Sequence, residues 1–132
     1  LATVRTDFIA NNADVTYGTI RFIEKDQDSF LAWASESWVC IVCNLHVVHS
    51  EVGIEKVKKD FGNLLDRVIE FGGCVYLTDH KWISKEQVEA AYPQFREFLM
   101  LKQKYDPSEV FESDWYRYFK DMYSDVVAKI TN

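Results

Sequence analysis

Two cysteines and two histidines fall at every third position in the stretch CIVCNLHVVH, residues 40–49. Those residue types are the usual zinc ligands, and a tetrahedral site needs four of them converging on one point, normally as two pairs on either side of a loop or helix. Cys40, Cys43, His46 and His49 have no such loop between them. The residues that separate them include Ile41, Val42, Val47 and Val48, β-branched side chains that favour an extended strand. In a strand, side chains alternate with period two, so a spacing of three sends Cys40 and His46 to one face and Cys43 and His49 to the other. The four cannot meet on one ion, and no metal site is expected here.

With period two, the stretch acquires a different meaning. One face carries Ile41, Cys43, Leu45 and Val47, with Cys43 as a small hydrophobe, and the other carries Cys40, Val42, Asn44 and His46. A strand with one apolar and one mixed face has a core behind it and something polar in front of it, whether solvent or a ligand. Asn44 and His46 are therefore candidate site residues.

The elements that must hold this strand follow from period and punctuation. Residues 1–11 read as a helix end, with Val4, Phe8 and Ile9 to one side and Asn11–Asn12 as a stop. Residues 15–24 alternate as a strand, with Tyr17, Thr19 and Arg21 on one face and Ile20 and Phe22 on the other; residues 29–34 form a short strand, and 38–47 the next. From Ile54, the positions Val57, Phe61, Leu64, Leu65, Val68 and Ile69 hold a helical stripe that ends at Gly72–Gly73 and is expected to pack on the apolar sheet face. A strand over 74–78 follows. Ser84 and Gln87 form a capping box for a helix over 85–91, Pro93 opens a helix to about Lys104, and Asp106–Pro107 ends it. Ser113 caps a last helix with Trp115, Tyr118, Phe119, Met122, Val126 and Val127 near one side. The expected class is α+β: an antiparallel sheet of about four strands with helices packed on one face.

Composition limits the function. The chain has 132 residues, 48% of them hydrophobic and 15% aromatic, enough for one domain with a real core. A net charge of −6 disfavours nucleic acid or an anionic membrane as partner. No apolar run approaches the roughly 20 residues of a membrane span. An odd cysteine count of 3 without a secretory signal fits reduced thiols and a cytoplasmic location. The chain begins at Leu1, as expected of a fragment or processed product. Neither a GxGxxG nor a GxxxxGK phosphate loop occurs, nor a GxSxG elbow, so these residues alone do not build a self-contained enzyme.

The run GGCVYLTDHKWISKEQVEAAYPQFREFLMLKQKYDPSEVFESDWYRYF resembles the C-terminal end of FAD-linked oxidases of the vanillyl-alcohol-oxidase type, a group that includes aldonolactone, alditol and decaprenylphosphoryl-ribose oxidases. Its most telling parts are YPQF and the later KYDPSEVFESD, similar to the group's K-x-D-P-x-x-x-F-x-S-D ending. The resemblance covers nearly the whole chain. It implies a substrate-binding or cap domain spanning 1–132, whose open sheet face lies over a flavin bound mainly by a separate N-terminal FAD-binding domain. The activity it implies is oxidation of an alcohol carbon of a sugar-like or polyol substrate by hydride transfer to flavin.

On that resemblance, Asn44 and His46 line the active site, and the GTIR stretch supplies Thr19 and Arg21 where alditol oxidases carry a polar residue and an arginine two apart. A fixed cation beside a flavin stabilises negative charge as the ring accepts hydride, which suits Arg21 to cofactor contact as well as catalysis. Tyr76 takes an aromatic position near the ring, and Asp79 stands where many relatives carry a lysine. Asp79 could orient a substrate hydroxyl or act as a base, and His80 or Lys81 could replace the lysine. The competing expectation, from another class, is a non-catalytic α+β binding or dimerisation module that uses the open sheet face for a partner.

Overall fold

The computed structural model describes residues 1–77 and 81–127, without the side chains of Val126 and Val127. Helix α1 (Ala2–Ala10) leads into strands β1 (Val15–Ile23) and β2 (Trp38–Leu45), followed by α2 (Glu51–Glu70), α3 (Lys85–Ala91), α4 (Phe95–Tyr105), α5 (Asp114–Met122) and the short α6 (Ser124–Val127). The class is α+β, with a two-stranded antiparallel sheet.

Local signals explain the helix boundaries. Ser84 Oγ accepts from Gln87 N at 3.2 Å while Ser84 N donates to Gln87 Oε1 at 3.1 Å, the reciprocal capping box that starts α3 where expected. Ser113 Oγ accepts from Tyr116 N and opens α5. Helix α2 starts three residues before Ile54: the Ser50 hydroxyl accepts from Gly53 N at 3.1 Å. Gly53 belongs to that tight entry, because a Cβ there would lie 2.2 Å from the Val48 carbonyl oxygen. Gly72 ends α2 at φ +70, the left-handed backbone that glycine adopts without cost. Helix α4 begins at Phe95, two residues after Pro93, and stops at Asp106, whose carboxylate accepts from Val110 N and Phe111 N.

The core is helical and aromatic. Val88, Phe95, Phe119 and Tyr123 are fully buried, with Leu65, Leu99 and Tyr116 around them. Phe95 meets Phe119 at 5.0 Å and Tyr123 at 5.4 Å between centroids, in tilted contacts that suit aromatic quadrupoles. The α5 stripe thus centres on Tyr116, Phe119 and Tyr123, while Trp115, Tyr118 and Met122 pack at its margin. Gln87 Nε2 reaches Asp66 Oδ1 at 2.6 Å and the Gly62 carbonyl at 3.2 Å, fixing α3 against α2.

The sheet is smaller than the sequence suggests. Residues 74–77 form no strand, because other groups take their carbonyls: Tyr92 Oη donates to Val75 O at 2.5 Å and Trp115 Nε1 donates to Leu77 O at 2.8 Å. Thr78 lies outside the described residues. Residues 29–34 form turns, since Asp26 Oδ1 accepts from both Asp28 N and Ser29 N, and Gln94 Nε2 holds the Phe30 carbonyl. The stripe of α2 also goes elsewhere: Leu65 lies in the helical core with Phe61 and Ile69 packed on it, rather than on strand residues.

Candidate functional site

The register of the β1–β2 ribbon fixes which side chains share a face. Arg21 pairs with Cys40, Thr19 with Val42, Ile23 with Trp38 and Tyr17 with Asn44. Cross-strand partners point the same way, so Arg21, Thr19 and Asn44 lie on one face, as the alternation predicts. A bulge at Thr16 shifts the pairing between Val15 and Tyr17. The opposite face carries Ile20 opposite Ile41 and Phe22 opposite Val39. Expected to lie under α2, this face is instead open: Phe22 is 86% exposed and Val39 56%. Arg21 is exposed on its own face, beside the half-buried Cys40, Val42 and Asn44 of β2.

Distance along the ribbon divides the expected site residues. Cys40, opposite Arg21, is two positions short of Val42, four short of Asn44 and six short of His46. At roughly 3.3 Å per residue, His46 stands about 20 Å from the level of Arg21, beyond the end of β2. There His46 N donates to the Asp14 carbonyl at 2.8 Å, and His46 Nδ1 lies 2.8 Å from Asp14 Oδ2, a carboxylate–imidazole pair that fixes the ring. Asn44 stands about 13 Å from the level of Arg21 on the same face, and His46 belongs to a different locality.

Tyr76 lies outside the ribbon. Its ring packs on Trp33 at 5.1 Å and 60°, in the connection that joins β1 to β2. That connection is bound to the helical body through Gln94 and through Leu31, which packs on the core. Asp79 and His80 lie outside the described residues, and Lys81 is exposed.

Electrostatics separate the thiols from the chemistry. Burial, and then the neighbouring Cys40, push the Cys43 thiol up, and burial pushes Cys74 up, so both stay protonated and serve as packing groups. Among the described residues, no three His, Cys, Asp or Glu side chains stand close enough to hold a metal ion.

Sequence reasoning missed Trp38. Its indole Nε1 is buried and has no hydrogen-bond partner among the described residues, and its ring shares the face of Arg21 through the Ile23 pairing. An unanswered buried donor costs about 1–3 kcal/mol unless an acceptor arrives. The only sequence signal was a tryptophan at a strand start.

The family model described as ALO, D-arabinono-1,4-lactone oxidase, matches residues 20–119. The chain belongs to the D-arabinono-1,4-lactone oxidase family. The match begins in β1 one residue before Arg21 and runs through the α5 core residue Phe119, so it takes in both the ribbon face and the helical body. Membership makes the chain the C-terminal part of an FAD-linked oxidase, an oxidoreductase of the flavoprotein kind. No solved structure matches it.

Proposed function

We propose that this chain is the substrate-binding part of an FAD-dependent oxidoreductase that oxidises an alcohol carbon of a sugar-like or polyol substrate. The observation that carries this reading is the D-arabinono-1,4-lactone oxidase match over 20–119, with Arg21 exposed on the ribbon face it includes. FAD, bound mainly by an N-terminal domain of the same protein, supplies a hydride acceptor. Arg21 stabilises the negative charge that develops beside it, an interaction stronger in the transition state than before it. Asn44 offers both a donor and an acceptor to a substrate hydroxyl. We assign Tyr76, with Asp79 nearby in sequence, to the same site; His46, about 20 Å along the strand, stands outside it. The three thiols suit a cytoplasmic enzyme.

The alternative, a non-catalytic module, draws on the open Phe22–Val39 face. One experiment separates the two: stopped-flow flavin reduction in the full-length protein with Arg21→Ala. Slower reduction with FAD still bound supports the oxidase; reduction at the wild-type rate removes Arg21 from the site.

A further inference from the structure

Three large apolar side chains stand out of the turn that follows α4: Tyr105 is 76% exposed, Val110 74% and Phe111 79%. Single exposed apolar residues are ordinary, but a group of them on one turn marks a contact surface. The turn is built to hold them in one shape. The Asp106 carbonyl accepts from Glu109 N at 3.0 Å, and its carboxylate accepts from Val110 N and Phe111 N, each at 2.9 Å, while pairing with Lys102 of α4. Glu109 sits at φ 52, a left-handed backbone that costs a residue with a side chain some strain. Its carboxylate accepts from Tyr116 Oη at 2.9 Å and from Lys120 Nζ at 2.5 Å, which ties the turn to α5.

A turn fixed at both ends loses little entropy when something docks on it. Size then selects the partner. Two aromatic side chains at about three-quarters of the 150–250 Å² each can bury, with a valine beside them, offer roughly 400 Å². Separate molecules need about 800 Å² from each partner for a stable complex, so a second copy would find only half of that here. A domain joined covalently to this one needs less, because the linkage holds it at an effective concentration of order millimolar. An anionic membrane would meet Glu109, Glu112 and Asp114 around the same turn, on a chain of net charge −6. The family match over 20–119 includes the turn, and membership makes the chain one part of a larger FAD-linked oxidase.

We infer that the 105–111 turn docks into an apolar recess of the FAD-binding domain of the same protein. The inference rests on the oxidase reading, which supplies that domain. Tyr105, Val110 and Phe111 are the inserted side chains, and Asp106 and Glu109 hold them in the docking shape.

Hydroxyl-radical footprinting of the full-length protein, read by mass spectrometry, tests it, with urea-unfolded protein as reference and absorbance near 450 nm recorded on the same sample. Tyr105 and Phe111 are expected to oxidise roughly tenfold more slowly than in urea, as side chains packed at an interface do, and equally at low and high protein concentration. Phe111→Ser should return Tyr105 to near the urea rate with far-UV circular dichroism unchanged, since Phe111 is largely exposed within this chain. Oxidation at the urea rate in flavin-containing protein would overturn the inference and leave the oxidase reading standing. Full-length protein without flavin absorbance would remove that reading and the inference with it. Protection that grows with protein concentration would assign the turn to a second copy, and protection that needs phosphatidylcholine vesicles would assign it to a membrane; either result overturns the inference.

Discussion

Raising the pH should unfold this protein through two phenols in its core. Burial, followed by the Glu109 hydrogen bond at 2.9 Å, pushes the Tyr116 hydroxyl up to about 12; burial, followed by the charge of Glu89, pushes Tyr123 up to about 12. Both start from 10.0 in the unfolded chain. Because the folded pKa is the higher, the stabilisation is fully present below pH 10 and is lost as pH rises towards 12. Two pH units at 1.36 kcal/mol each make roughly 3 kcal/mol per phenol, against a total stability of about 5–15 kcal/mol for an ordinary domain. Tyr92, buried and donating to Val75 O, is pushed up further in the same direction. The assay follows phenolate absorbance at 295 nm together with far-UV circular dichroism between pH 9 and 12.5. A cooperative loss of helix between about pH 11 and 12, coincident with a late rise in phenolate, is expected; shifting Tyr123→Phe should move that midpoint upward. Full ionisation of all 7 tyrosines with the helical signal intact would refute the assignment of these phenols to the core.

In the full-length enzyme, Arg21→Ala should lower kcat by about 10²–10³-fold with a smaller change in KM, as expected when a contact made in the transition state is lost. Gly53→Ala should destabilise the chain by about 1–3 kcal/mol in urea titration, because the new Cβ meets the Val48 backbone oxygen at 2.2 Å. Hydrogen bonds from Lys102, and then from Phe111 N, hold the Asp106 carboxyl below its usual range, so its contribution is present above that range and disappears as the pH falls through the lowered value; Asp106→Asn should flatten the acid limb of a stability–pH curve. The isolated 132-residue chain should purify without bound FAD, as read by absorbance near 450 nm, since it has no glycine-rich phosphate loop.

What the sequence disclosed well was local. Ser84–Gln87, Ser113 and Gly72 act within one turn of themselves, and each marks a helix end where the structure has it. The period-two pattern likewise sorted Arg21 and Asn44 from Ile20 and Ile41 onto opposite faces. Partners distant in sequence were not legible. CVYLT has strand composition, yet Tyr92 and Trp115, seventeen and thirty-eight residues onward from the groups they bind, claim its carbonyls. Alternation also states which face is apolar without stating what covers it, and α2 spends its stripe on the helical core. For the site, pattern grouped His46 with Arg21 by parity, and parity carries no information about distance along the strand. The Asp14–His46 pair and the Trp38 donor depend on tertiary placement and left no period to detect.

The open ribbon face also governs how the chain behaves in a test tube. Strand β2, WVCIVCNL, has no charge, proline or glycine to guard its edge, and Phe22 and Val39 stand beside it uncovered. Such an edge templates pairing with another copy, a second-order process that worsens with concentration. Opposing it is the net charge of −6, none of whose acidic residues lies in β1 or β2. That repulsion acts over a Debye length of about 10 Å at 0.1 M salt and about 3 Å at 1 M. Added salt should therefore turn a colloidally stable acidic chain into a self-associating one, and low ionic strength is the condition under which its refolding yield is highest.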